Sequence, residues 1–195
     1  MRITSHAVCA PIVKIQPDGT LRLSRMEYTN REGFTTVRHI METGKNGQTV
    51  IETLKEGVFK EGTLDPKNFR FNILTELPIY IDFVSDERNI GGTQMKLVFP
   101  ISVEDESLLR SVERPDDDNP AEIHGPVTLV EASALIQETE RHTIPFHFRA
   151  TRAAIHWAGI IDKNVLDRYY RLVTDWVPRE LTTEQLVGIE EYPKK

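Results

Sequence analysis

Residues 146–160 read FHFRATRAAIHWAGI and hold the densest group of side chains able to do chemistry in this 195-residue chain. Arg149, Arg152 and His156 recur at helical spacing and share one face, about one sixth of the circumference at roughly 100° per residue. His142 and His147 lie just upstream, and His124 further back. Cations on one helix face recognise a phosphate, a carboxylate, nucleic acid or an acidic protein surface. Imidazoles can instead act as acid–base groups or bind zinc, copper or iron. The spacing speaks against a metal: His142-x4-His147 spans Pro145 and is not the i,i+4 pair of a metalloprotease helix, and no Cys-x-x-Cys accompanies it. Asp116, Asp117 and Asp118 lack the alternate ligand positions and turn glycine of a calcium loop. No G-x-x-x-x-G-K-[ST], G-x-G-x-x-G or G-x-S-x-G stretch occurs. Neither a metal nor a cofactor is therefore expected.

Charge extends the cationic stretch. Between Arg141 and Arg179 stand seven Lys/Arg and three acids, a net +4 in a chain of net −6. Arg168 and Arg171 continue the basic surface, beside Tyr169 and Tyr170. The opposing reading is an ordinary solvated face. Asp167 and Arg171 stand four apart, as do Arg171 and Asp175, and such exposed pairs contribute only about 0.3–0.5 kcal/mol each.

Elements must position these groups. Period-two alternation marks strands at Leu21–Ser24, Phe69–Leu74, Ile79–Val84 and Gln94–Ile101. Further strands are expected near 7–15, 34–42 and 48–54. The PDGT (17–20), Gly44–Gly47 and Gly91–Gly92 stretches read as turns, and Pro11 and Pro100 as strand ends. Asp82, alone among apolar neighbours, is expected to point outward. Residues 104–120 are acidic and read as a short helix followed by a solvated loop. Thr128 opens a T-x-x-E capping box with Glu131, which predicts a helix from there to about Arg141. A helix follows Pro145. The next begins near Asp162 or Asn164, with Val165, Tyr169, Leu172, Val173 and Trp176 as its buried stripe, and a last one begins near Thr182. In the Pro145 helix, Ala150, Ala153, Ala154, Trp157 and Ile161 form one apolar stripe while Phe148 and Ile155 lie on another side. Such a helix is gripped from two directions, by a sheet and by a neighbouring helix or a second subunit.

The fold class expected is α+β. An antiparallel meander or barrel-like sheet fills 1–103, an acidic connector fills 104–120, and three to four helices in 121–195 pack on the sheet, all as one domain. The content of 39% hydrophobic and 28% charged residues excludes a disordered chain, and the acidic balance argues against nonspecific binding of nucleic acid by the whole molecule. A lone cysteine, Cys9, excludes an internal disulfide and suits a reducing compartment. The N-terminus carries no apolar run of signal-peptide length, and no stretch approaches the roughly 20 apolar residues of a membrane span. A cytoplasmic protein without membrane partners is expected.

For function, the absence of a catalytic constellation and the surplus apolar faces of the Pro145 helix predict a non-enzymatic interaction or regulatory protein. It would bind a protein partner, or a second copy of itself, through its helical half, with Arg149, Arg152, His156, Arg168 and Arg171 as binding residues. A nucleic-acid-associated protein using 141–179 is the alternative. A third reading is an enzyme whose dispersed site uses a histidine among His124, His142, His147 and His156.

Overall fold

The computed structural model describes residues 2–86, 89–116, 119–142 and 145–174. The chain opens with β1 (Ile3–Ala10), β2 (Val13–Ile15) and β3 (Leu21–Thr29). Pro11, which has no N–H to give a ladder, separates the first two. The PDGT turn joins β2 to β3 through Gly19 at φ 79°, a left-handed conformation that glycine adopts without steric cost. β4 (Thr35–Arg38) and β5 (Ile40–Thr43) follow, then helix α1 (Val50–Gly62).

β6 (Phe71–Ile73), β7 (Tyr80–Ser85), β8 (Thr93–Val98) and β9 (Ile101–Val103) come next, then a 3-10 turn at Glu106–Leu108. β10 (Arg114–Pro115), β11 (Ile123–His124) and β12 (Thr128–Glu131) lead into helices α2 (Ala132–His142), α3 (Pro145–Ile161) and α4 (Lys163–Thr174).

One sheet runs β5-β1-β8-β7, antiparallel except for the parallel β1–β8 pair. A second is built on the long strand β3, in the order β10-β11-β3-β12 with β2 and β4 also paired to β3. β6 and β9 form a separate antiparallel pair. The α+β class holds. No closed barrel forms among the described residues.

Apolar burial follows the strand alternation. Val8, Ala10, Met26, Leu54, Val58, Phe69 and Leu97 belong to a core between the first sheet and α1. Leu21, Leu23, Leu135, Ile155, Val165 and Tyr169 belong to a second, between β3 and the later helices. Cys9, Tyr80, Phe146 and Ala150 form a third.

Several boundaries differ from the sequence reading. The stretch read as a strand at 48–54 is the start of α1. Thr49 caps it, accepting from the Glu52 N–H while the Glu52 carboxylate accepts from the Thr49 N–H. Conversely, Thr128–Glu131 is no helix cap but strand β12, held in register on β3 with Leu129 opposite Ser24 and Glu131 opposite Arg22. The short helix expected in 104–120 is a single 3-10 turn, and strands occupy part of the region expected to be helical. Asp82 is 3% exposed and ion-paired to Arg149 instead of facing outward. The helix expected near Thr182 lies outside the described residues.

α1 lies flat on β5 because Gly57 has no side chain. A Cβ there would stand 2.6 Å from the Glu42 Cβ. In an exposed helix Gly→Ala stabilises by about 1 kcal/mol. Here the overpacking cost of about 1–3 kcal/mol reverses the sign. Gly57→Ala is expected to lower the urea-unfolding midpoint; a raised midpoint would show that α1 can move off β5 freely.

Candidate functional site

Four of the strands converge on the C-terminal end of α1. Within β3, Met26 and Tyr28 point to one face, two residues apart. Met26 pairs across β3–β4 with Arg38, and Tyr28 pairs across β3–β11 with His124, which in turn pairs with Arg114 on β10. Directly opposed residues share a face. Arg38, Tyr28, His124 and Arg114 therefore gather on one side of the sheet. Glu61, in the last turn of α1, meets them there.

The resulting cluster has defined geometry. His124 Nδ1 lies 3.2 Å from Glu61 Oε1, and its Nε2 lies 3.0 Å from Asp116 Oδ2. Arg38 Nη2 donates to the same Glu61 oxygen at 2.8 Å. That nitrogen is also 3.5 Å and 3.4 Å from the two ring nitrogens of His124. The Arg38 guanidinium also covers the Tyr28 ring, 3.9 Å from its centroid. The Met41 N–H donates to the other Glu61 oxygen at 3.0 Å.

Glu61, Arg38 and His124 are buried, whereas the Asp116 side chain is 26% exposed. The row thus runs from the interior to the surface. The hairpin that carries Asp116 is braced: the Asn119 N–H donates to Asp116 Oδ1, the Asn119 side chain donates to Glu122, and Tyr28 OH donates to Glu122.

Burial pushes the Glu61 carboxyl up, to about 7, against the pull of Arg38. Burial and then the Arg38 charge push His124 down. A neutral imidazole has one N–H for two carboxylate contacts. One further proton, carried by Glu61, completes the row: Glu61 donates to Nδ1, and Nε2–H donates to Asp116. The cluster is a carboxyl–imidazole–carboxyl relay in its geometry.

The donor atoms of Glu61, Asp116 and His124 all lie within 4.8 Å of one another, an oxygen–nitrogen set of the kind that holds divalent ions. The guanidinium argues otherwise, since Arg38 shares the Glu61 oxygen that an ion would need. With Arg38 in place the residues do not fit a dication.

The other buried histidines have structural roles. His39 Nε2 contacts Thr151 Oγ1 at 3.0 Å, and that hydroxyl donates to the His147 carbonyl, so the ring carries its proton on Nε2. Ser24 then donates to His39 Nδ1 at 3.2 Å. His6 Nε2 contacts Thr53 Oγ1 at 2.7 Å.

The residues singled out from the sequence are dispersed over several elements. Arg149, on α3, pairs with Asp82 of β7. Arg152 lies over the Phe148 ring at 5.8 Å, and His156 is half-buried. Arg168 is exposed, 3.7 Å from Asp18 in the β2–β3 turn, and Arg171 is exposed. Of the four histidines considered, His124 stands in the relay and His147 is buried within α3; the side chain of His142 lies outside the described residues. Glu61, Arg38 and Tyr28 escaped the sequence reading. The signal that could have found Glu61 was the Thr49-x-x-Glu52 box, which starts the helix that ends on it.

Two concavities lie elsewhere. A cleft of about 520 Å³ is lined by Lys14, Ser102 and Glu104–Glu106 over Ile12 and Leu129. An apolar groove of about 390 Å³ is lined by Val13, Ile15, Leu74, Trp157 and Ile161. Neither includes a member of the relay. No helix among the described residues is long and apolar enough to cross a membrane.

No family model and no curated protein sequence matches the chain. Solved structures do. A NUDIX hydrolase from Nitrosomonas europaea shares 15% identity over 76% of this chain and 86% of its own, at a TM-score of 0.51. The Ap4A hydrolase of C. elegans shares 9% identity over 81% of this chain and 98% of its own, at 0.56. A protein from Jonesia denitrificans, described as a possible asymmetric diadenosine tetraphosphate hydrolase, shares 10% over 82% and 98%, at 0.57.

These likenesses correct the expectation of a non-enzymatic interaction module, because the structures that share the architecture are named hydrolases. The premise of that expectation also weakens. Much of the apolar surface of α3 that suggested a partner is covered inside the chain, by β3, β7, α2 and α4, although Trp157 and Ile161 line the open groove. At these identities the comparisons settle the architecture alone: the chain has the fold of the Nudix hydrolases.

Proposed function

We propose that this chain is a hydrolase that cleaves a phosphoanhydride bond in a nucleotide substrate, of the dinucleoside tetraphosphate class named for two of its structural neighbours, and that Asp116, His124 and Glu61 supply the acid–base chemistry. One observation carries the reading. The imidazole of His124 spans two carboxyl groups at 3.2 and 3.0 Å, one deep in the protein and the other reaching solvent.

In this reading the Asp116 carboxylate takes a proton from the attacking water as its oxygen bonds to phosphorus. The P–O bond to the departing phosphate breaks, and that phosphate leaves as an oxyanion. When Glu61 is ionised, the proton moves inward: Asp116 gives it to His124 Nε2, and Nδ1–H passes its own to Glu61. Turnover is then expected to rise with pH through about 7, as Glu61 loses its proton. The work is cytoplasmic in this reading, in keeping with a single buried, unpaired cysteine.

The test is chromatographic separation of products from diadenosine tetraphosphate and shorter nucleotides, between pH 6.5 and 8.5, with and without Mg²⁺. Asp116→Asn is expected to lower kcat by about 10²–10⁴-fold, the usual contribution of a positioned acid–base group. Absence of turnover by the wild-type protein under all these conditions, or full activity in Asp116→Asn, would overturn the reading.

A further inference from the structure

We infer that Arg38 is a built-in substitute for a divalent cation, and that Glu61, Asp116 and His124 become a three-ligand site for a first-row divalent ion once that guanidinium is removed. The inference rests on charge and geometry within the cluster and not on hydrolysis.

Two carboxylates face one imidazole, and all three donor atoms lie within 4.8 Å of one another. The buried Glu61 carboxylate needs a positive charge nearby, because an uncompensated charge inside a protein costs several kcal/mol. A divalent ion held by the three groups would supply it. Here the Arg38 guanidinium supplies it instead, at 2.8 Å from the same Glu61 oxygen that faces His124.

The surroundings hold the substitute in place. Arg38 is 7% exposed, its guanidinium lies against the Tyr28 ring, and its Nη2 is 3.4 Å from His124 Nε2. Arg110 and Arg114 add positive potential at His124, and Glu42 adds negative potential at Glu61. A dication placed beside Arg38 would leave a buried excess of positive charge. Without Arg38, an incoming ion displaces only a proton from Glu61, and two carboxyl groups and an imidazole offer three donor atoms of the types that suit zinc, cobalt or manganese.

The direct test is Co²⁺ titration of the wild-type chain and of Arg38→Met, followed by the visible absorption of the bound ion. The wild-type protein is expected to take up no ion at the cluster. Arg38→Met is expected to bind one Co²⁺ at least about 100-fold more tightly, since relieving a buried like charge is worth several kcal/mol. Adding His124→Ala should abolish that binding. A folded Arg38→Met chain that binds no more tightly than wild type would overturn the inference. So would stoichiometric wild-type binding that disappears in His124→Ala.

Arg38→Gln, which keeps hydrogen-bonding capacity, is the second variant should the first not fold. The wild-type protein decides if neither folds: movement of the His124 ring resonances on adding Zn²⁺ defeats the inference, and their constancy supports it. The readout is ion binding, so failure of the proposed hydrolysis leaves this inference intact, and the reverse also holds.

Discussion

Between pH 6 and 5 the protein is expected to lose on the order of 3 kcal/mol of stability per pH unit. The cause is four buried imidazoles. His6, His39, His124 and His147 are each 2% exposed or less. Burial lowers the proton affinity of all four, that of His39 to about 4 and that of His147 well below the usual range. In the unfolded chain each takes a proton near pH 6.5. As pH falls below that value the unfolded state binds protons that the folded state refuses, so stability drops. Each such proton contributes up to about 1.4 kcal/mol per pH unit.

Glu61 acts in the opposite sense. Its folded affinity is raised to about 7, so between about pH 7 and 4.5 the folded state holds a proton that the unfolded state lacks. The net is at least roughly two protons, and a fall of this slope over one to two units is comparable with the lower end of a domain's usual 5–15 kcal/mol. Urea unfolding at pH 7.5, 6.5 and 5.5 measures it directly. A midpoint unchanged between 7.5 and 5.5 would mean that the histidines charge in the folded state. His39→Gln should reduce the slope by about one proton's share.

The second large effect is an asymmetry within the Arg38–Glu61 pair. Glu61→Leu strands the guanidinium against His124 inside the protein, and an arginine does not shed its proton. The expected cost is about 3–5 kcal/mol. Arg38→Met removes the cation instead, and Glu61 can take up a proton and become neutral. The cost then falls to that of a lost hydrogen bond and imperfect packing, about 1–3 kcal/mol. The double variant should recover most of what Glu61→Leu loses, because an apolar pair in place of a buried ion pair is often nearly neutral. Denaturant midpoints of the three variants decide the matter. Equal losses in the two single variants, or additive loss in the double, would show that the two side chains are not coupled as the 2.8 Å contact indicates.

How far the sequence reached can be read residue by residue. The strands at Leu21–Ser24, Ile79–Val84 and Gln94–Ile101 were legible because one face of each is buried and the alternation records it. The α3 and α4 stripes were legible for the same reason, with Ala150, Ala154, Ile155, Val165 and Tyr169 all buried. Helix α1 was not. Its inward face is Thr53, Leu54, Gly57, Val58, Glu61 and Gly62, only two of them large and apolar. The polar members are satisfied by distant partners, Thr53 by His6 and Glu61 by Arg38, which no local pattern announces.

The capping-box motif misled in the other direction. T-x-x-E occurs at Thr49 and at Thr128. At Thr49 the following residues have room to coil against β5, whereas at Thr128 the ladder to β3 takes the same backbone groups and makes a strand.

By itself the sequence determined the fold class, the place of most strands and the three later helices, since hydrophobic periodicity is a local record of which faces are buried. It also determined the absence of an internal disulfide, through its single cysteine. Tertiary structure alone decided the site. His124 and Asp116 come from one hairpin, Arg38 from β4 and Glu61 from α1, and only strand register and the close seat of α1 on β5 bring them within hydrogen-bonding reach. Tertiary structure also decided that the arginine-rich face of α3 is partly tied to β7 through Arg149 and Asp82. Charge pairing across tens of residues leaves no periodic trace, because the energy of such a contact depends on where the chain returns and not on what stands beside it in order.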